Sequence, residues 1–199
     1  LKAGERTGKF KIRVTGPERG MTMYLNWDGP NLPLREAFRT LKVRQALSHA
    51  INREEIKEIV YQGMLDVSGY SFAPQSPYYS EEADTKYTQF DTELANRLLD
   101  EAGYVDTDGD GVRNLKDGSP FAVNIDCLIT PSMNVDAMQL VAEHWSKVGI
   151  QVYINAALRN RLWPRRNTGE FDIHVWSLEG PADPLARLND WAIMNETVP

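Results

Sequence analysis

The stretch LKVRQALSHAINREEIKEIVYQGM, residues 41–64, decides how this chain folds. Val43, Ala46, Leu47, Ala50 and Ile51 fall at i, i+3, i+4, i+7 and i+8, which places them on one face of a helix. Lys42, Arg44, Gln45, Ser48 and His49 make up the polar face. Asn52 then restarts the pattern. It is a good N-cap, Glu55 stands three residues on to return the hydrogen bond, and Ile56, Ile59, Val60 and Met64 continue a fresh apolar stripe. Gly63 supplies a residue that tolerates left-handed backbone where the second helix closes. By period alone, 41–64 is a pair of helices joined at a capped corner, which any α/β core could hold.

The letters are more specific than the period. VRQALSHAINREEI, residues 43–56, resembles the signature segment of the family 5 solute-binding proteins of ABC transporters, the peptide, nickel and oligosaccharide group. In that group a VRQAL-type run leads through an alanine to an Ile-Asp or Ile-Asn corner and an Arg-Glu-Glu-Ile-like helix start. DTELANRLLDEAGY, residues 91–104, is similar to the same family's helix of pattern D-x-x-x-A-x-x-L-L-x-E-A-G-Y, and VGIQV at 148–152 matches its turn into a strand. The resemblance runs from about Met23 to about Pro184. It implies an α/β fold, one lobe of a type II periplasmic-binding-protein fold with a mixed sheet flanked by helices, residues 1–199 forming a single lobe whose companion lies elsewhere. It also implies a non-enzymatic role. The protein would be the substrate-binding component of an ABC importer, trapping a peptide, oligosaccharide, metal chelate or other small polar solute as two lobes close, then delivering it to a membrane permease. The implied location is the periplasm or the cell exterior, with or without a lipid anchor on the full-length protein.

Bulk properties agree. With 199 residues and 42% apolar content, the chain can bury roughly 70% of its unfolded surface, enough for one substantial core. The net charge of −6 gives no general basic field for nucleic acid or anionic membrane. No apolar run approaches the ~20 residues that span a bilayer. The chain begins at Leu1 without a Met or a secretory signal pattern, and reads as a piece of something longer. Its single cysteine, Cys127, precludes an internal disulfide framework and alternates in FAVNIDCLI with Phe121, Val123, Ile125 and Ile129 as a small core residue.

In chain order, KFKIRVTG at 9–16 and MTMYLNWD at 21–28 alternate as strands, the second with Met23, Leu25 and Trp27 on one side. Residues 28–37, rich in Pro, Gly and Asn, read as a loop. Residues 65–90 form a long irregular segment whose aromatics argue for order. In the resembling family that segment runs toward the ligand cleft, which makes Tyr70 and Phe72 candidate ligand contacts; the alternative is aromatics that pin the loop to its own core. A helix over 91–102 capped by Asp91 follows. Strand 121–130, helix 133–148 and strand 150–154 then make a parallel βαβ-like crossover, with Met138, Val141, Trp145 and Val148 as the helix's buried stripe and His144 off it.

DTDGDGVRNLKD, residues 106–117, has the register of a calcium loop. Asp106, Asp108, Asp110, the Val112 carbonyl, Asn114 and Asp117 fall at positions 1, 3, 5, 7, 9 and 12, with Gly111 at the bend. Asp replaces the usual Glu at position 12, and a strand follows where a second helix would complete a helix–loop–helix hand. Two readings stand: a structural Ca²⁺ site, around which a calcium-stabilised extracellular interaction module could be built, or an acidic turn joining helix to strand.

Arg159, Arg161, Arg165 and Arg166 cluster around Trp163 and Pro164, which interrupt any long helix. They read as a solvated face, with a carboxylate anchor as the other option. FDIHVWSLEGPADP, residues 171–184, resembles the family segment in which a carboxylate after a tryptophan holds a bound peptide's amino group. Here Glu179 stands where the family has Asp, and Asp183-Pro184 falls one residue late, so the resemblance puts Trp176, Glu179 and Asp183 forward as ligand contacts while departing from the peptide pattern. An indole beside a carboxylate suits a cationic or hydroxyl-rich group; a core Trp with a solvated Glu is the other reading. No nucleophile elbow, HExxH, phosphate loop or ligand-spaced pair among His49, His144 and His174 suggests catalysis.

Overall fold

The computed structural model describes residues 21–177 apart from Tyr70, Ala73 and Gln75. The strand expected at 9–16 and the candidate contacts Tyr70, Glu179 and Asp183 lie outside the described residues. Within them the order is β1 (Met21–Leu25), α1 (Leu32–Arg39), α2 (Leu41–His49), α3 (Arg53–Tyr61), α4 (Glu81–Thr85), α5 (Thr92–Glu101), β2 (Ala122–Leu128), α6 (Met133–Ser146), β3 (Gln151–Ala157), α7 (Arg159–Asn167) and β4 (Ile173–Ser177).

The corner inside 41–64 forms as its letters require. Asn52 Oδ1 accepts the Glu55 N–H at 3.2 Å, and Asn52 Nδ2 donates back to Glu55 Oε2 at 3.3 Å. The helix closes on two left-handed residues, Gln62 at φ 53° and Gly63 at φ 69°. Val43, Ala46, Leu47, Ala50 and Ile51 are buried, and α2 packs along α5. The stripe of α3 is narrower than its period suggests: Ile56 is buried, but Ile59 and Met64 are exposed. His49, expected on the polar face, is instead buried, because the 65–90 segment, expected as irregular but carrying α4, folds back over it. His49 Nδ1 meets Gln89 O at 2.8 Å, Asp91 N–H bonds His49 O at 2.9 Å, and Arg53 donates to Ser48 O and Thr88 O.

Residues 28–37, expected as loop, hold most of α1. The Asn and Pro that suggested a loop are the helix's start signal: Asn31 Oδ1 accepts the Leu34 N–H at 3.2 Å, and Pro33 occupies the first turn, where its missing N–H costs nothing. Leu34, Ala37 and Phe38 then meet the core. Arg44 caps the far end of α1 through Phe38 O and Arg39 O at 2.8 and 2.7 Å, and sits 4.6 Å from the Trp27 ring. Trp27 is therefore a half-exposed partner of Arg44 rather than a continuation of the strand face.

The sheet runs β1-β4-β2-β3, with β1 antiparallel to β4 and β4, β2 and β3 mutually parallel. The β2-α6-β3 unit is the crossover expected from 121–154. One face of the sheet, with Val123, Ile125, Cys127, Ile173 and Val175, packs into the cluster of α1, α2, α5 and α6. Trp145 ties α6 to α2 by donating Nε1–H to Leu47 O at 3.0 Å. His144 also faces inward, against expectation. Its Nε2 lies 2.8 Å from Glu55 Oε2, and its Nδ1 receives the Asn52 N–H, so the α3 cap and α6 share one polar contact. Among the described residues no helix is long and apolar enough to cross a membrane.

Candidate ligand-binding site

The other face of the sheet has different chemistry. Side chains alternate along a strand, so β4 sends Ile173 and Val175 into the core and His174 and Trp176 outward. Strand register aligns Tyr24, His174, Asp126 and Asn155 in one row across all four strands. α7 lies against β2 on this side, held by the buried Leu162 and by Arg165. Nine residues run through Pro164, which lacks the N–H that would bond Asn160, yet the helix continues to Thr168 N–H on Pro164 O at 3.0 Å. Trp163 and Pro164 thus limit the helix without stopping it.

Asp126, 1% exposed, accepts Asn155 Nδ2 at 2.7 Å and Arg165 Nε at 2.9 Å. A carboxylate this buried is tolerable only with such donors. The pair fixes α7 in register with β2, and so fixes what α7 carries. Trp163 lies 5.2 Å from Trp176, ring centre to ring centre. The Arg159 guanidinium sits 4.4 Å from the Trp163 ring and 5.0 Å from Trp176, and Arg166 sits 4.6 Å from Trp163. His174 stacks on Trp176 at 6.0 Å and 16°.

His174 is 2% exposed, and among the described residues neither ring nitrogen has a hydrogen-bond partner. Burial, with help from the positive charge of Arg166, pushes its pKa down to about 4 against an opposing pull from Asp126. It is a neutral imidazole at neutral pH. A buried polar group left unpaired costs about 1–3 kcal/mol, and such groups concentrate where a protein binds or reacts. On the β3 side of α7, Asn155, Asn160, Arg161 and Arg165 line an open groove of about 520 Å³.

Of the residues singled out in sequence, Trp176 stands at the centre of this cluster. Phe72 does not join it by ring contact; it meets Tyr78 at 6.1 Å within its own segment. Sequence reading offered Arg159 and Arg166, beside Trp163, as a solvated face or a carboxylate anchor, and did not single out Trp163, His174 or Asp126 as ligand contacts. Arg159, Trp163 and Arg166 fall at i, i+4 and i+7, the signal that one helix face carries all three.

The 106–117 loop brings Asp106, Asp108 and Asp110 together, with one carboxylate oxygen of each within 4.8 Å of the others. Asp117 is turned away to accept the Ser119 N–H and hydroxyl, and Asn114 Oδ1 accepts the Thr107 N–H and hydroxyl. Asp106 accepts Gly109 and Gly111 N–H, and those bonds hold its carboxyl below the usual carboxylate range. Three exposed carboxylates fit part of a Ca²⁺ shell, which takes six to eight oxygens. The loop is also anchored without metal. Arg113, 9% exposed, donates to Val148 O, Tyr104 O, Asp100 and Asn96.

The family model for bacterial extracellular solute-binding proteins, family 5, matches residues 2–194. The chain belongs to this family. Among relatives, it is 31% identical over 160 residues to the oligopeptide-binding protein AppA of Bacillus subtilis (strain 168), covering 78% of this chain and 28% of AppA. Among solved structures, an oligopeptide-binding protein OppA matches with TM-score 0.80 and 35% identity over 85% of this chain and 26% of that one. NikA from Brucella suis in complex with Fe(III)-EDTA matches with TM-score 0.75 and 26% identity over 98% of this chain and 37% of that one. The family 5 chain studied here therefore spans roughly a quarter to two fifths of the relatives it matches. Its α/β fold, a mixed sheet flanked by helices, is that of the periplasmic binding proteins. The family is one of transport binding proteins, and nothing in this membership supports a module built around the calcium loop.

Proposed function

We propose that this family 5 chain is one lobe of the substrate-binding component of an ABC importer, and that solute rests against the face formed by β4 and α7. The observation that carries the reading is His174: a buried, neutral imidazole with no hydrogen-bond partner among the described residues, beside the paired indoles of Trp163 and Trp176, on the face turned away from the core helices. Polar groups of this kind, set among aromatics, fix a ligand's orientation while the rings supply contact area.

Relatives named for oligopeptides, and one solved with a carboxylate chelate of iron, support a small polar solute as cargo. A second lobe supplied by the longer protein would close on this face about a hinge, and the closed form would engage the permease. The working location is the periplasm or cell exterior. Glu179 and Asp183, close in sequence to Trp176, remain our proposed carboxylate partners for a cationic group of the ligand, and Tyr70 and Phe72 our proposed contacts from the 65–90 segment. Ca²⁺ bound at 106–117 would serve the loop alone, because its carboxylates come from one turn.

The test is calorimetry on the full-length protein with short peptides, oligosaccharides and nickel chelates, repeated with Trp176→Ala and Trp163→Ala. Each substitution is expected to weaken binding of the recognised class about tenfold or more, from lost stacking of ~1–3 kcal/mol. Unchanged affinity in both variants would place the ligand elsewhere.

A further inference from the structure

α7 is the basic element of an acidic protein. Its nine residues, RNRLWPRRN, contain four arginines and no acid. Elsewhere among the described residues Arg39, Lys42, Lys57, Lys86, Arg113 and Lys116 each stand within 4.0 Å of a carboxylate, while Arg35, Arg44, Arg53, Arg97 and Lys147 do not. On α7, among the described residues, Arg165 does, through Asp126. Among the described residues Arg159, Arg161 and Arg166 have no ion-pair partner, although the chain carries 28 Asp and Glu against 22 Lys and Arg.

Two of these unpaired cations are not loose. Arg159 and Arg166 are held over Trp163, and Arg159 also over Trp176, at 4.4–5.0 Å. Ring contact uses the charge of a guanidinium and restricts its rotamers, while its N–H groups stay available. The entropy of ordering two long side chains is thus met before any ligand arrives. His174 stacks on Trp176 beside them, with both nitrogens unpartnered among the described residues. Being neutral, it can donate one hydrogen bond without adding charge.

We propose that this cluster is an anion subsite, and that the solute carried by the protein presents a carboxylate to Arg159 and Arg166. The inference rests on the solute-binding reading above and narrows its ligand class. A planar two-oxygen group matches the guanidinium fork, in which two parallel N–H groups can donate together. Arg165 does not take part, since its Nε is committed to Asp126; it fixes the helix that presents the other two. The carboxylate can belong to a peptide or to the chelator of a metal ion, and the same chemistry would serve both.

The experiment is calorimetry on the full-length protein with four probes: trialanine, trialanine amide, nickel–citrate and stachyose. Wild type is expected to bind trialanine or nickel–citrate, with trialanine amide at least about tenfold weaker than the acid if peptide is the source. Affinity for the acid probe should fall as salt rises. Arg159→Gln and Arg166→Gln should each weaken the acid probe about tenfold and leave the melting temperature within a few degrees, since both side chains are exposed. Arg97→Gln, exposed on α5 on the far side of the sheet, should change nothing. Equal binding of trialanine and its amide, binding of stachyose alone, or wild-type affinity in the double Arg159→Gln/Arg166→Gln protein would overturn the anion subsite while leaving solute binding intact. Binding of none of the four probes would count against both.

Discussion

In the Asp126→Asn protein, the buried carboxylate that holds α7 on the sheet becomes an amide of the same shape. An amide has one acceptor oxygen where the carboxylate has two, so it must turn its NH₂ toward either Asn155 Nδ2 or Arg165 Nε, both donors. One bond is lost and the other loses its anionic acceptor, becoming neutral if it is the Asn155 bond that survives and staying charge-assisted on the donor side if it is the Arg165 bond. Hydrogen bonds to charged groups contribute about 1.5–3 kcal/mol and neutral ones about 0.5–1.5. Two effects reduce the cost: burying an amide is cheaper than burying a carboxylate, and the Arg165 side chain, 40% exposed, regains water. The net loss is about 2 kcal/mol, which in a chain of this size lowers Tm by roughly 4–8 °C. Urea unfolding of Asp126→Asn, Arg165→Gln and the double variant should give a coupling of about 1 kcal/mol. Tryptophan emission should also change, because Trp163 loses its fixed approach to Trp176. A coupling under about 0.3 kcal/mol with unchanged emission would mean that this pair does not position α7.

The pH dependence has a defined sign at His174. Its folded pKa of about 4 lies below the ordinary value near 6.5, so the unfolded chain binds more protons between those limits and stability falls as pH drops through them. Urea midpoints at pH 7, 5.5 and 4.5 should decline in wild type and flatten in His174→Leu; parallel declines would refute the assignment. Gly149 sits in left-handed backbone at φ 76°, and a Cβ there would press on Arg113 Cγ at 3.0 Å, so Gly149→Ala should cost about 2 kcal/mol by thermal melt. Chelation of calcium should shift the melt by no more than a few degrees, because Asp106, Asp110 and Asn114 already hold the loop's amides, and collapse of the fold on chelation would contradict this. Asp106→Ala should lower Tm whether or not a chelator is present.

Much of the architecture was legible in the sequence because it rests on local rules. The α2–α3 corner follows from Asn52 and Glu55, the start of α5 from Asp91, and the β2-α6-β3 crossover from apolar periods of two and 3.6. α1 was misread because Asn31 and Pro33 carry the same signal for a loop and for a helix start, and only the burial of Leu34, Ala37 and Phe38 separates the two. His49 and His144 were assigned outward from their place on a helical wheel, yet both are buried, one under the 65–90 segment and the other against Glu55.

What the sequence determined by itself was family and fold class, and it put one indole, Trp176, forward as a candidate, since motifs and periodicity are properties of neighbours along the chain. The assembly around that indole came only with tertiary structure. Asp126, Trp163 and His174 sit on three different elements, and strand register and one buried ion pair decide that they meet. Residues so far apart in the chain leave no periodic trace of their contact. The reason α7 matters is likewise invisible in a linear reading: four arginines are a solvated run until a sheet places one on a buried carboxylate and leaves two over indoles with no counter-charge among the described residues.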